Sequence, residues 1–178
     1  MSSGISPPRK NLIRLLEACG PLMAEGLLDG VVLVGSKGWL TEDFDRFMQD
    51  YAWRERVLLP GFVAEEDLPS VYAGALVTAQ PSLYEGFGLP VLEAMASGCP
   101  VVSSNASSLP EVGGDAARYF APDDVEAMRA TLGAVLADEG LRDVMRARGL
   151  ARAAEFSWER TARETVALYE RVSGKALT

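Results

Sequence analysis

The sequence predicts an α/β fold in which a parallel, Rossmann-like sheet is covered by helices on both faces. Short apolar segments alternate with longer segments of helical periodicity along most of the chain. The short segments are mainly apolar and do not alternate with polar residues, which is typical of parallel strands buried on both faces. The 178 residues are enough for one domain with a sizeable core, so we expect a single domain over residues 1–178.

Five short apolar segments, bounded by loop residues, are predicted as strands. In chain order they are Val31–Val34, Val57–Leu59, Ala75–Ala79, Pro100–Ser103 and Arg118–Phe120. Helical spacing of apolar residues predicts the helices. They are a helix that starts at Asn11, followed by helices at 41–53, 65–73, 89–97, 108–112, 123–137, 140–155 and 158–172. Asparagine is a common N-cap, so we expect Asn11 to cap the first helix.

Composition excludes several classes of function. The net charge of −8 leaves no basic surface of the kind that binds nucleic acid, so we expect no nucleic-acid partner. Cys19 and Cys99 form neither a disulfide framework nor a metal-binding spacing, which favours a reducing, cytoplasmic compartment. The sequence has no histidine, the commonest general base and zinc ligand. It also has no apolar run long enough for a membrane helix, and Met1–Gly4 is no signal peptide.

The loop after the third predicted strand carries the residues best suited to bind a ligand. It contains Glu85, Gly86 and Gly88, and the helix that follows carries Glu93. Glycines let a ligand approach the backbone amides at a helix N-terminus, where anions bind. An anion site beside two carboxylates indicates one ligand with both phosphate and hydroxyl groups, such as a nucleotide-sugar.

Ligands of parallel sheets bind at the carboxyl ends of the strands. The loops expected at that edge are Gly35–Trp39, Gly61–Ala64, Ser82–Leu89 and Ser104–Ser108. Arg9 and Lys10 would join them if a strand preceded them. Only Ser2–Ile5 stands before that turn, so we expect the chain to be a domain taken from a longer protein.

The segment Glu85–Val102 resembles the signature of glycosyltransferase family 4. Shorter segments with the same resemblance are Pro8–Leu12, Gly35–Trp39, Leu109–Ala117 and Phe156–Trp158. Members of that family are retaining enzymes of GT-B architecture, with the active site between two Rossmann-like domains. The resemblance implies the C-terminal, donor-binding domain of a mannosyltransferase-like member. It also implies that the acceptor domain is absent and that the domain alone is inactive.

The resemblance also implies roles for the residues of the signature. Glu93 is expected to accept hydrogen bonds from the two ribose hydroxyls. Glu85 is expected near the donor sugar and its phosphate, where it could accept from sugar hydroxyls or support an oxocarbenium-like transition state. The amides of Phe87, Gly88 and Leu89 are expected to meet the sugar and diphosphate.

Further roles implied by the resemblance lie outside the signature. Lys10 is expected to bind the diphosphate in place of a magnesium ion, so no metal and no cofactor are expected. Arg9 either supplies a second cation or is a surface residue. Val63 either contacts the base or only packs in the core. The helix at 158–172 is expected to close the domain, packing locally or exposing an apolar face.

The function implied is transfer of a hexose, mannose from GDP-mannose, to a glycan or lipid-linked acceptor. The acceptor hydroxyl would attack on the face that the diphosphate leaves, and a phosphate oxygen would take its proton. The expected partners are the nucleotide-sugar, the acceptor domain and, through the full-length enzyme, a membrane surface. The alternative is a non-catalytic nucleotide-binding or interaction module on the same fold. A dinucleotide oxidoreductase is disfavoured because no G-x-G-x-x-G follows a strand.

Overall fold

The structure, a computed structural model, describes residues 8–35 and 42–174. The strands are β1 Val31–Val34, β2 Val57–Gly61, β3 Thr78–Gln80, β4 Val101–Ser104 and β5 Arg118–Phe120. The helices are α1 Leu12–Ala24, α2 Glu42–Asp50, α3 Leu68–Gly74, α4 Leu89–Ala96, α5 Leu109–Gly113, α6 Val125–Ala137, α7 Glu139–Ala153 and α8 Trp158–Ser173. A short 3₁₀ turn, Pro8–Lys10, precedes α1.

The strands pair in parallel, with helices between them, so the predicted α/β class is confirmed. β1 pairs with β2, in the register Val31 with Val57. β4 pairs with β3 on one side and with β5 on the other. Among the described residues, the strands form a two-stranded and a three-stranded parallel sheet. Residues of β1 and of β3 line a common cavity.

β4 lies at the centre of the packing. All four of its residues are buried. Val102 belongs to a core cluster with Leu16 of α1 and Val135 of α6, whereas Val101 belongs to a second cluster with Val91 of α4. Successive residues of a strand point to opposite faces, so helices cover β4 on both sides, as its apolar sequence predicts.

β3 begins later than its apolar sequence predicts. The predicted strand Ala75–Ala79 includes the exit from α3, because the Ala75 amide still donates to the Tyr72 carbonyl at 3.1 Å. The strand ends at Gln80, which is only 7% exposed although it is polar. Apolar patterning ends at Ala79 and therefore misses the strand residue that reaches the candidate site.

The last three helices have conventional N-caps. Asp124, Asp138 and Ser157 each accept a hydrogen bond from a backbone amide in the first turn of α6, α7 and α8, respectively. α8 extends one residue beyond its predicted end and has no buried residue. It exposes apolar side chains such as those of Trp158 and Val172. No helix among the described residues combines the length and the apolar character needed to cross a membrane.

Candidate functional site

Asn11 fixes the basic turn at the carboxyl ends of two strands. The expected side-chain cap is absent: among the described residues, the Asn11 side chain accepts no amide from α1, and its φ is 57°. Its Nδ2 instead donates to the carbonyls of Pro81, at 3.0 Å, and Pro122, at 2.6 Å. These carbonyls follow β3 and β5, so Asn11 anchors the start of α1 beside both strand ends. The short polar side chain of asparagine also tolerates a positive φ better than most residues do.

Glu85 is the centre of the site. Its Oε1 accepts hydrogen bonds from Lys10 Nζ at 2.7 Å, Ser82 Oγ at 2.7 Å and Gln80 Nε2 at 2.9 Å. Its Oε2 accepts from Arg9 Nη1 at 2.8 Å. The structure therefore brings Arg9, Lys10 and Glu85, three of the predicted residues, into one cluster.

The cluster carries one net positive charge, because two cations share a single carboxylate. Burial alone would raise the pKa of Glu85. The hydrogen bonds from Lys10 and Ser82, the charge of Lys10 and the hydrogen bond from Arg9 together outweigh burial, so the pKa of Glu85 lies below its ordinary value. Glu85 is therefore ionised at neutral pH. This favourable local charge offsets the net charge of −8 that an anionic ligand would meet.

The lowered pKa of Glu85 predicts how stability depends on pH. A carboxylate whose pKa is lower in the folded state stabilises the fold above its unfolded-state pKa, and this contribution is lost as the pH falls through the folded-state pKa. We therefore expect the free energy of unfolding, measured by urea denaturation, to fall less between pH 5 and pH 3 in Glu85→Gln than in the wild type. Glu126→Gln, at a side chain 77% exposed, is the control and should follow the wild type. Equal slopes for all three proteins would contradict the ion-paired state of Glu85.

The two glycines of the loop have different environments. Gly88 is the N-cap of α4 with φ 108°, a backbone conformation that favours glycine. A Cβ atom there would lie 2.8 Å from Leu109 Cδ2, whereas a Cβ atom at Gly86 would meet nothing within 4 Å. Gly88 is thus required by the turn and its packing, and Gly86 leaves open space beside the cluster.

The N-terminus of α4 offers hydrogen-bond donors. Within residues 8–35 and 42–174, the amides of Phe87, Gly88 and Leu89 have no hydrogen-bond acceptor. Ser108 Oγ donates to the carbonyls of Glu85 and Phe87, at 3.0 and 2.8 Å, and thereby fixes the orientation of these peptide groups. Ser107 Oγ accepts from the Glu85 amide at 2.9 Å. The loop after β4 therefore holds the glycine loop in place, with free amides at a helix N-terminus.

Glu93 lies on the exposed side of α4. Its Oε2 accepts a hydrogen bond from the Tyr72 hydroxyl of α3 at 3.1 Å. Burial raises the pKa of Tyr72, and the charge of Glu93 raises it further, so the phenol remains a neutral donor. Glu93 is therefore held in one orientation while one of its oxygens can accept further bonds.

The remaining predicted residues are not shown in hydrogen bonds with the Glu85 cluster. Val63 is half-buried beyond the end of β2. The Phe87 side chain is 45% exposed and packs edge-on against Phe156, with ring centroids 6.2 Å apart. Lys37 and most of the predicted loop Gly35–Trp39 lie outside the described residues. In the part of the chain that the structure describes, no group of three or more His, Cys, Asp or Glu could hold a metal ion.

Sequence reasoning missed the neutral partners of this site. Gln80, Ser82, Ser107 and Ser108 all hydrogen-bond to Glu85 or its loop. One signal was available: all four lie in, or just before, the loops predicted at the ligand edge of the sheet. Their partners could not be predicted, because the bonds from Ser107 and Ser108 cross between loops that are distant in sequence.

Comparisons with known proteins relate the chain to glycosyltransferases. The sequence family described as "Glycosyl transferases group 1" matches residues 2–152. The chain is similar to the "O-antigen chain mannosyltransferase B" of Escherichia coli, with 42% identity over 168 residues. That match covers 94% of this chain and 44% of the relative, so the chain spans less than half of the relative's length.

Solved structures share the fold. The chain is similar to a sucrose-phosphate synthase from Thermosynechococcus elongatus, with a TM-score of 0.81 and 28% identity over 94% of this chain and 43% of that one. It is also similar to the C-terminal domain of a glycosyl transferase group 1 family protein from Francisella tularensis. That comparison gives a TM-score of 0.74 and 25% identity over 84% of this chain and 80% of that one.

Proposed function

The chain belongs to the glycosyl transferases group 1 family, and from this we propose that it is the donor-binding half of a hexosyltransferase. The observation that carries the proposal is the position of Lys10 and Arg9 against Glu85, at the loop that opens α4. Two cations and a row of free amides there are suited to a diphosphate. Similarity to a mannosyltransferase supports mannose as the sugar and GDP-mannose as the donor.

Lys10 is proposed to bind the diphosphate directly. An ammonium group has three N–H donors, and among the described residues Lys10 donates one hydrogen bond, to Glu85. Two donors therefore remain for phosphate oxygens. Arg9, with a side chain 46% exposed, can add a second contact. These fixed cations supply positive charge at the diphosphate, so we expect binding to need no metal ion.

Glu85 is proposed to position the cations first and to contact the sugar only after rearrangement. Both of its oxygens already accept hydrogen bonds. Oε2 accepts one from Arg9, and Oε1 accepts three, from Lys10, Gln80 and Ser82. A sugar hydroxyl could reach the carboxylate if a phosphate drew Lys10 away from it. Glu93 is proposed to bind the ribose diol, with its orientation set by Tyr72.

The proposed reaction transfers the hexose with retention of its anomeric configuration. The bond between the anomeric carbon and the phosphate oxygen breaks, and its electron pair stays on the diphosphate. Lys10 stabilises this developing charge more strongly than it stabilises the donor, which lowers the barrier. The acceptor hydroxyl forms the new bond on the same face, and its proton passes to a phosphate oxygen. The acceptor is proposed to bind on a second domain, and the isolated domain to be inactive.

The compartment is proposed to be the cytoplasm. Cys19 and Cys99 are both buried and unbridged. Burial raises the pKa of Cys19 to about 12 and also raises that of Cys99, so both thiols stay protonated at neutral pH. Unbridged cysteines are usual in a reducing compartment.

Calorimetric titration with GDP, UDP and ADP tests the proposal. We expect GDP to bind more tightly than the other two. We expect Glu93→Ala to weaken GDP binding about ten- to 100-fold, because hydrogen bonds to a charged group are worth about 1.5–3 kcal/mol each. Glu126→Ala, which removes an exposed glutamate of α6, should leave the affinity unchanged. Failure of all three nucleotides to bind would overturn the donor-site assignment.

A non-catalytic module is the second candidate. The observation that favours it is the full set of hydrogen bonds on Glu85, which gives that carboxylate a structural role without any ligand. The same titrations separate the two functions. If a nucleoside diphosphate binds with the same affinity to the wild type and to Glu93→Ala, Glu93 does not contact the ribose. That result would support the non-catalytic module.

A further inference from the structure

Two residues of the described chain combine a side chain with a left-handed backbone conformation. Asn11 has φ 57° and Ser107 has φ 50°, and the other described residues with positive φ are glycines. Residues with a Cβ atom are uncommon in this region, because the Cβ atom crowds a neighbouring carbonyl oxygen. Glycine adopts the same conformation without that cost. Each position therefore carries a side chain where glycine would suit the backbone better.

Both residues adjoin the Glu85 cluster, which consists of Arg9, Lys10 and Glu85. Asn11 directly follows Lys10, whose Nζ donates to Glu85 at 2.7 Å. Ser107 Oγ accepts a hydrogen bond from the Glu85 amide at 2.9 Å. Strained backbone persists only where surrounding contacts hold it, and it is concentrated at functional sites. The position of both residues beside one cluster indicates that their side chains serve that cluster.

The Asn11 side chain joins the loops that follow two strands. It is only 6% exposed, and its Nδ2 donates to the carbonyls of Pro81, at 3.0 Å, and Pro122, at 2.6 Å. Its Oδ1 accepts from Arg14 Nη1 at 3.0 Å, so both polar atoms of the amide are bonded. Glycine at this position would keep the backbone conformation and lose all three hydrogen bonds.

The turn that carries Lys10 is attached on both sides of that residue. Before Lys10, the Arg9 carbonyl accepts a hydrogen bond from the Leu83 amide at 2.7 Å. After Lys10, Asn11 donates to the Pro81 carbonyl. These two attachments to the segment 81–83 restrict the positions that the Lys10 ammonium can take. Loss of the Asn11 side chain would leave the attachment through Arg9.

Ser107 holds the other side of the ion pairs. Its side chain is exposed, and its hydroxyl fixes the peptide group at the start of the glycine loop. Glycine at this position would relieve the backbone and remove the hydroxyl acceptor. Relief of strain offsets the lost hydrogen bond and the greater entropy of the unfolded chain, so we expect stability to change little.

We propose that Asn11 and Ser107 are positioning residues for diphosphate binding: Asn11 holds the turn that carries Lys10, and Ser107 holds the loop that carries Glu85. This inference rests on the proposed donor-binding function. Neither side chain needs to touch the ligand. They place the cations and the free amides of α4 before the ligand arrives, which reduces the ordering that binding requires.

Ser107→Gly separates a positioning role from a structural one. In urea denaturation we expect this variant to unfold at about the same concentration as the wild type. In calorimetric titration we expect it to bind GDP about two- to tenfold more weakly, as loss of one hydrogen bond predicts. Guanosine, which has no phosphate, should bind both proteins equally. Ser107→Ala removes the hydroxyl but keeps the strained backbone, so it should lose GDP affinity to the same extent.

Asn11→Gly tests the other residue with the same two ligands. We expect GDP affinity to fall about tenfold, because two buried hydrogen bonds that hold the turn are lost, and guanosine affinity to stay unchanged. NMR titration of the Glu85 carboxyl group gives a readout without ligand. The pKa of Glu85 should rise in Asn11→Gly and in Ser107→Gly, because Lys10 and Glu85 are then less closely held together. Gln49→Ala, which removes an exposed amide of α2, should follow the wild type in every measurement.

The outcomes distinguish this inference from the proposed function. If the wild type binds GDP and both glycine variants bind it equally well, the positioning roles are overturned and donor binding stands. Equal losses of GDP and guanosine affinity would also overturn them, because the disturbance would then be general. If the wild type binds no nucleotide, the donor assignment fails. The Glu85 titration then decides whether the two residues position the cluster, and an unchanged pKa in both variants would show that they do not.

Discussion

Replacing Gly88 with valine is expected to lower the free energy of unfolding by about 2–6 kcal/mol. The residue has φ 108°, where a β-branched side chain is strained by about 1–3 kcal/mol. Its Cβ atom would lie 2.8 Å from Leu109 Cδ2, and Leu109 is fully buried, so overpacking adds about 1–3 kcal/mol. A domain of this size has a total stability of about 5–15 kcal/mol, so urea denaturation should show a large loss.

Gly86→Ala is the matched control for this prediction. It lies in the same loop, but a Cβ atom there meets nothing within 4 Å, and Gly86 is not among the described glycines with positive φ. We expect its stability to stay within about 0.5 kcal/mol of the wild type. Comparable losses for both substitutions would show that the loop tolerates no side chain at all and would contradict the distinction drawn between the glycines.

Lys10→Met is expected to weaken GDP binding about ten- to 100-fold. The variant keeps a long apolar stem but removes the charged donor proposed to contact the diphosphate, and such contacts are worth about 1.5–3 kcal/mol. Guanosine has no phosphate, so its affinity should not change. Calorimetric titration of both ligands separates the loss of a phosphate contact from a general disturbance of the site.

The control for Lys10 is Arg46→Met on α2. The Arg46 side chain is 74% exposed and pairs only loosely with Asp43, at 3.5 Å, so its removal also lowers the net charge by one without touching the cluster. Equal losses of GDP affinity in both variants would assign the effect to overall charge. No loss in Lys10→Met would exclude Lys10 from the phosphate site.

The sequence was most informative where local patterning decides the structure. Val31–Val34 and Arg118–Phe120 were predicted with the observed bounds, because short segments of strand-forming residues bounded by loop residues indicate both. Gln80 shows the limit of such patterning. It is a buried strand residue because Ser82 and Glu85 accept its amide protons, and no hydropathy pattern contains that information.

Predictions from residue type were less reliable than predictions from patterning. Asn11 is a common N-cap residue, yet its amide serves the carbonyls of Pro81 and Pro122, far along the chain. Glu85 was recognised as a site residue, but its pairing with Arg9 and Lys10 depends on contacts 76 and 75 residues apart, respectively. The ligand roles of all the predicted site residues, including those of Arg9, Lys10 and Glu85, stay predictions.

A crystal structure of the chain with GDP is the most direct test of the donor-site assignment. We predict that a phosphate oxygen accepts hydrogen bonds from Lys10 Nζ and from the amides at the start of α4, and that the ribose hydroxyls donate to Glu93. In that complex, the hydrogen bond between Lys10 and Glu85 should be broken, which leaves the Glu85 carboxylate accessible to a sugar hydroxyl. GDP bound elsewhere, with Lys10 still held by Glu85 and Glu93 free of the ribose, would contradict the assignment.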